Sequence, residues 1–202
     1  MYKKLMLACM AIAAFGAFVI APTASATTLT SEGKVVPTGT SITALNTGIT
    51  KFTGSFSVEC DHDHLVGTVT QNNTTKIKGE IALGGAKFNG TATGTDCTSA
   101  LGASSVTVNS KLCLETTTED KLSVTGCGAN IVFTLEVTGT GPCKYSTSSI
   151  SGTYTTNQTP VTVTFSEQKA VKSEGGFFCP AEGKLDLEFD LYTTSGVGLT
   201  IS

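Results

Sequence analysis

Leu185-Asp186-Leu187-Glu188-Phe189-Asp190-Leu191 is the stretch that decides the fold class of this chain. Apolar residues hold every odd position and carboxylates every even one. A period of two belongs to a strand, whose successive side chains point to opposite faces; apolar residues of a helix recur every three or four. One face of such a strand is buried and the other meets water.

The same reading extends outward along the chain. Residues 52–58, 65–70, 76–83, 106–114, 131–138 and 161–165 are further strand candidates, each bounded by turns rich in Gly, Asn, Asp or Ser. No stretch shows the amphipathic helix of ten or more residues that βαβ units require. Threonine is the commonest residue, and it alternates with Val, Ile, Phe and Leu instead of clustering with Pro as in a mucin-like stalk. Only 14% of residues are charged, so the chain lacks the high net charge of a disordered segment. The expected fold is all-β, an antiparallel β-sandwich or barrel-like domain stapled by disulfides. An outer-membrane barrel would carry aromatic girdles, and this chain has no Trp.

The N-terminus reads as a leader. Lys3 and Lys4 precede an uncharged apolar run over residues 5–21, and Ala24-Ser25-Ala26 supplies the small-x-small pattern of a cleavage site. The expected division is a signal peptide over 1–26, which takes Cys9 with it, and a secreted domain over 27–202 with no integral membrane segment left after cleavage. The leader contains two of the thirteen basic residues and none of the sixteen acids, so the remainder has eleven lysines against sixteen acids, a formal charge of −5. There is no arginine. Nucleic-acid binding, which leans on basic patches and on Arg in particular, is set aside on that composition.

Six cysteines follow the leader: Cys60, Cys97, Cys113, Cys127, Cys143 and Cys179. An even number in an exported chain reads as three disulfides, and no pair has the short C-x(2–4)-C spacing of a zinc knuckle. A weak internal repeat suggests the pairing. Cys60 is followed by Gly67-Thr68-Val69-Thr70-Gln71-Asn72 and then Cys97; Cys143 is followed by Gly152-Thr153-Tyr154-Thr155-Thr156-Asn157 and then Cys179. Nearly equal separations, 37 and 36 residues, and a shared strand-turn pattern pair Cys60 with Cys97 and Cys143 with Cys179. Cys113 and Cys127 then bond across a hairpin that turns at residues 118–121. On this reading two related β-units, 41–110 and 128–202, are joined by a 111–127 hairpin.

The words Ala26-Thr27-Thr28-Leu29-Thr30, Val36-Pro37-Thr38-Gly39-Thr40, Gly67-Thr68-Val69-Thr70 and Gly152-Thr153-Tyr154-Thr155-Thr156, with Cys179-Pro180, resemble small secreted Thr/Gly-rich, six-cysteine β-proteins of soil actinobacteria that carry no assigned activity. The resemblance implies a secreted β-protein and brings no catalytic residues with it.

Two constellations could carry chemistry. Asp61-His62-Asp63-His64 holds both histidines of the chain, and in an extended segment His62 and His64 would share a face fit for Zn or Cu. The alternative is a solvated turn whose side chains satisfy local backbone groups. A hydrolase could be centred only on those histidines, and no Gly-x-Ser-x-Gly elbow accompanies them. The carboxylate row Asp186, Glu188 and Asp190 has the spacing of a glycosidase pair, but with no Trp for a sugar platform it reads as a solvent-facing row partly paired with lysines. The expectation is an extracellular or cell-surface module, non-enzymatic, with no obligate cofactor. Its partner would be an extracellular protein, a cell-wall polymer or a small ligand.

Overall fold

The computed structural model describes residues 27–88, 97–118, 120–139 and 141–202; the expected leader over 1–26 lies outside them. The described residues form eighteen strands and no helix. The first six are β1 (Leu29–Ser31), β2 (Lys34–Val35), β3 (Ser41–Asn46), β4 (Thr50–Thr53), β5 (Ser57–Cys60) and β6 (His64–Asn73). β7 (Lys76–Ile81), β8 (Ala86–Phe88), β9 (Cys97–Ser99), β10 (Gly102–Val108), β11 (Leu112–Thr118) and β12 (Lys121–Thr125) follow. The last are β13 (Ile131–Val137), β14 (Gly141–Thr147), β15 (Ser149–Tyr154), β16 (Thr162–Glu174), β17 (Glu182–Thr193) and β18 (Leu199–Ile201).

Pairing closes these strands into two barrels. The first runs β3-β6-β7-β11-β12-β15-β16-β17 and returns to β3, every pair antiparallel. The second runs β4-β5-β9-β10-β13-β14-β16-β17 and returns to β4. Closure removes the exposed edges at which sheets aggregate. β8 adds a second bridge, pairing with β6 of the first barrel and β10 of the second.

The shared element is the β16–β17 hairpin. Residues 162–165 of β16 face residues 187–190 of β17 in the first barrel, and residues 168–171 face 182–185 in the second. β17 keeps a single parity throughout: Leu185 packs on the second core and Leu187 and Leu191 on the first. β16 does not keep parity. Val163 and Phe165 are inward at odd positions, whereas Ala170 is inward at an even one. The register shift between Phe165 and Gln168 inserts the extra residue that makes this change, with Glu167 at φ 51° and its N–H donating to Asp186 Oδ1 at 2.8 Å.

Each barrel has its own core. The first is aliphatic, with Val69, Ile81, Leu122, Val124 and Val163 among its buried residues. The second is built on rings: Phe52, Phe133 and Tyr145 lie 4.7 to 6.1 Å apart between centroids. Tyr145 is fully buried and donates its hydroxyl to the carbonyl of Pro180 at 3.1 Å. Burial pushes its pKa up to about 12.

A separate sheet, β18-β1-β2, places Leu29, Leu199 and Ile201 in the first core. The wall of eight strands is continuous, so side chains from outside it reach the interior only through an end. This sheet is therefore a cap. Asn72 of β6 fastens it: its side-chain amide donates to the carbonyls of Leu29 and Val36 and accepts from the N–H of Leu29, all at 2.8 to 2.9 Å.

The disulfides join Cys60 to Cys97, Cys113 to Cys127 and Cys143 to Cys179, the connectivity that the repeat suggested. Other expectations need correction. Units 41–110 and 128–202 are not separate bodies, because each barrel takes strands from both. The repeated segments nevertheless occupy matching places: Gly67-Thr68-Val69 and Gly152-Thr153-Tyr154 lie in the first barrel, and Cys60, Cys97, Cys143 and Cys179 belong to the second core. Residues 52–58 and 106–114 are not single strands. Gly54-Ser55 turns β4 into β5, and Asn109-Ser110 separates β10 from β11, carrying the chain from one barrel to the other.

Candidate functional site

Inward positions of the two barrels enclose a cavity of about 190 Å³ whose lining is apolar but for a trace. Leu29 and Ile201 of the cap, Ile42, Ala44 and Leu187 of the first barrel, and Phe52 and Leu135 of the second all line it. Val108 packs against both cores, so the two interiors meet rather than being walled off.

Small residues keep this space open. Ala44 contributes only a methyl to the lining, and Gly79 occupies the inward position between Ile77 and Ile81. At Gly183 the missing side chain is filled by a neighbour: a Cβ there would lie 2.1 Å from Phe52 Cζ. The end of the Phe52 ring thus packs against the backbone of β17 at Gly183, which fixes one wall of the cavity. The charges stay on the outer surface. Lys76 and Lys78 both pair with Glu115, and their hydrogen bonds hold its carboxyl below the ordinary carboxylate range.

One buried hydroxyl of the lining stands without a partner among the described residues. Thr50, the first residue of β4, is 5% exposed, lines the cavity, and its Oγ1 has no hydrogen-bond partner among the described residues. Its place is the waist between the cores, since the next residue, Lys51, pairs with Asp186 between Leu185 and Leu187. Sequence reasoning missed it. The available signal is the alternation Thr50-x-Phe52, which puts a hydroxyl on the same strand face as a buried ring.

Asp61, His62, Asp63 and His64 do not line this cavity. They form the crossover from β5 in the second barrel to β6 in the first. His62 is exposed, with Nδ1 2.9 Å from Asp61 Oδ1; Asp63 is buried, and its N–H donates to Asn46 Oδ1 at 2.9 Å. His64 is already in β6, opposite Leu45. The four side chains do not converge: among the described residues, the one set of three metal-type ligand atoms lying within 4.8 Å of one another comprises Glu80, Cys113 and Cys127. Two of those atoms are sulfurs bonded to each other, which leaves no thiolate for a metal.

The carboxylate row lies on the outer surface as expected, but its partners differ from those expected. Its members bind hydroxyls and an amide in place of lysines. Glu188 accepts from Thr47 Oγ1 at 2.6 Å, Asp190 from Thr162 Oγ1 at 2.6 Å, and Asp186 from the bulge amide already described. The row ties β17 to its neighbours on the outer surface.

No protein-family model matches this chain, and neither does any curated protein or solved structure.

Proposed function

We propose that this protein is a secreted, non-enzymatic binding module that holds a small apolar molecule inside its double barrel. The observation that carries the reading is the cavity of about 190 Å³ spanning both cores. An apolar cavity of about 150 Å³ lined by Leu, Ile and Phe suffices to bind benzene. Three disulfides around a closed barrel suit an extracellular setting, and among the described residues no helix is long and apolar enough to cross a membrane. The histidines, the only centre the sequence offered for hydrolysis, stand outside the cavity.

The test is thermal unfolding of the chain from residue 27 onward in buffer containing cyclohexane. A ligand that binds only the folded state raises the melting temperature by mass action, by about 2.7 kcal/mol of stability at a hundred times its dissociation constant. Ala44→Leu, which puts a bulky side chain at a lining position of the first barrel, removes that rise. A melting temperature insensitive to cyclohexane, or equally raised in Ala44→Leu, refutes the proposal.

A further inference from the structure

We infer that the molecule held in the cavity is a largely apolar compound bearing one hydrogen-bonding oxygen, and that Thr50 Oγ1 at the waist of the double barrel is the group that recognises it. The inference rests on the cavity being a binding site and adds the chemical class of what it binds.

A cavity meant only to be filled by hydrocarbon would be walled by hydrocarbon, and Thr50 is the exception: buried, facing inward opposite Cys60 across the β4–β5 pair, and with its hydroxyl unpartnered among the described residues. Val has the same shape without the hydroxyl and suits a strand equally well, so packing does not explain the choice. Other threonines of the lining differ. Thr116, also buried, has its hydroxyl within hydrogen-bond distance of both the N–H and the carbonyl of Ile77. A water molecule does not answer the need at Thr50 well, because a buried water wants two to four polar partners and this lining offers almost none besides the hydroxyl. A ketone, ether or alcohol oxygen needs only one partner, and its hydrocarbon body fits the remaining walls.

The position of the hydroxyl also constrains the ligand. Thr50 sits between the two cores, with cavity on either side, so the oxygen belongs in the body of the ligand. A charged end group is disfavoured as well: the ionised residues of the lining among the described residues, Lys78, Glu80 and Glu115, already hold partners on the outer surface, and burying an unpaired charge is strongly unfavourable.

The experiment measures the dissociation constants of cyclohexane, cyclohexanone and cyclohexanol for the wild-type chain and for Thr50→Val and Thr50→Ser. The quantity read is the preference, the cyclohexane constant divided by the ketone or alcohol constant. Desolvation of the ligand is common to all three proteins, so differences in preference isolate the hydrogen bond. A net hydrogen bond corresponds to roughly a two- to tenfold effect. Thr50→Val is expected to lower the preference for ketone and alcohol by about that factor while cyclohexane binding is kept, and Thr50→Ser to retain it. Thr50→Ala replaces Thr50→Val if the latter does not fold. If cyclohexane binds but the preference is the same in Thr50→Val, the role of Thr50 is overturned and the apolar cavity stands. If none of the three binds the wild-type chain, the binding reading itself fails and this inference with it.

Discussion

Removing the disulfides one pair at a time should reveal two classes, and the structure sets their order. Cys60–Cys97 closes 37 residues and Cys113–Cys127 closes 14. Loop-closure entropy assigns about 3.8 kcal/mol to the first and about 3.0 kcal/mol to the second. Burial widens the gap. Cys60 and Cys97 are each 1% exposed inside the second core, whereas Cys113 and Cys127 are only half-buried on the outside of the first barrel. Replacing both buried half-cystines by Ala deletes two methylene-sized groups from a packed core, roughly another 1.5–2 kcal/mol. The Cys60→Ala/Cys97→Ala variant should therefore lose about 5–6 kcal/mol, a large share of the 5–15 kcal/mol typical of a folded domain, and the Cys113→Ala/Cys127→Ala variant about 3 kcal/mol. Urea unfolding followed by tyrosine fluorescence reads the difference; with a slope of about 2 kcal/mol per molar, the two midpoints should differ by about 1 M or more. Equal midpoints, or a lower one for the Cys113–Cys127 variant, would refute both the burial assignment and the loop-length argument.

Gly183→Ala drives a methyl group into the ring of Phe52 and should destabilise by about 1–3 kcal/mol, with Phe52→Leu in the same chain recovering part of it; strictly additive losses would mean that the two residues do not touch. Tyr145 has a folded-state pKa of about 12 against about 10 when unfolded, so burial favours its neutral form; the stability this contributes is complete below pH 10 and lost as pH rises toward 12. Urea midpoints measured at pH 8 and pH 11.5 should fall less in Tyr145→Phe than in the wild type, and an identical fall would place the alkaline sensitivity elsewhere. Asn72→Ala removes the three hydrogen bonds that fasten the cap, a loss of about 2 kcal/mol, and should speed amide exchange of β1 and β18 by about thirtyfold while exchange in β13 and β14 is unchanged.

What could be read beforehand was whatever a single strand expresses by itself. The alternation of residues 185–191 was legible because β17 keeps one parity across both barrels, and it identified the buried and outer faces correctly. Its partner was legible only as residues 161–165. Beyond the bulge the inward parity changes and the chain becomes polar, so a period of two finds no continuous face in β16. The interlacing of the barrels was illegible for a different reason. It resides in short crossovers such as Asn109-Ser110 and the Asp61–Asp63 segment, where the sequence states that the chain turns but not toward which neighbour. The disulfide pairing was accessible because it follows from spacing. Thr50 was not, since a threonine in a threonine-rich strand becomes unusual only when its surroundings are known to be hydrocarbon.

Covalent and non-covalent restraint are unevenly divided around the cavity, and that division bears on how a ligand could reach Thr50. Cys60–Cys97 and Cys143–Cys179 both lie within the second core, where the Phe52, Phe133 and Tyr145 rings also pack. The remaining bond, Cys113–Cys127, staples the outer wall of the first barrel near the β11–β12 hairpin. None crosses to the cap. That sheet consists of three strands of two or three residues, held by backbone pairing, by Leu29, Leu199 and Ile201, and by the amide of Asn72. Opening free energies in a folded protein fall where buried contacts are few, as they are for the short strands of the cap. Its displacement uncovers Leu29 and Ile201, which line the cavity directly, without breaking either barrel. Thr50 at the waist is restrained more firmly than the cap, because it stands directly across from Cys60, whose bond to Cys97 lies within the second core.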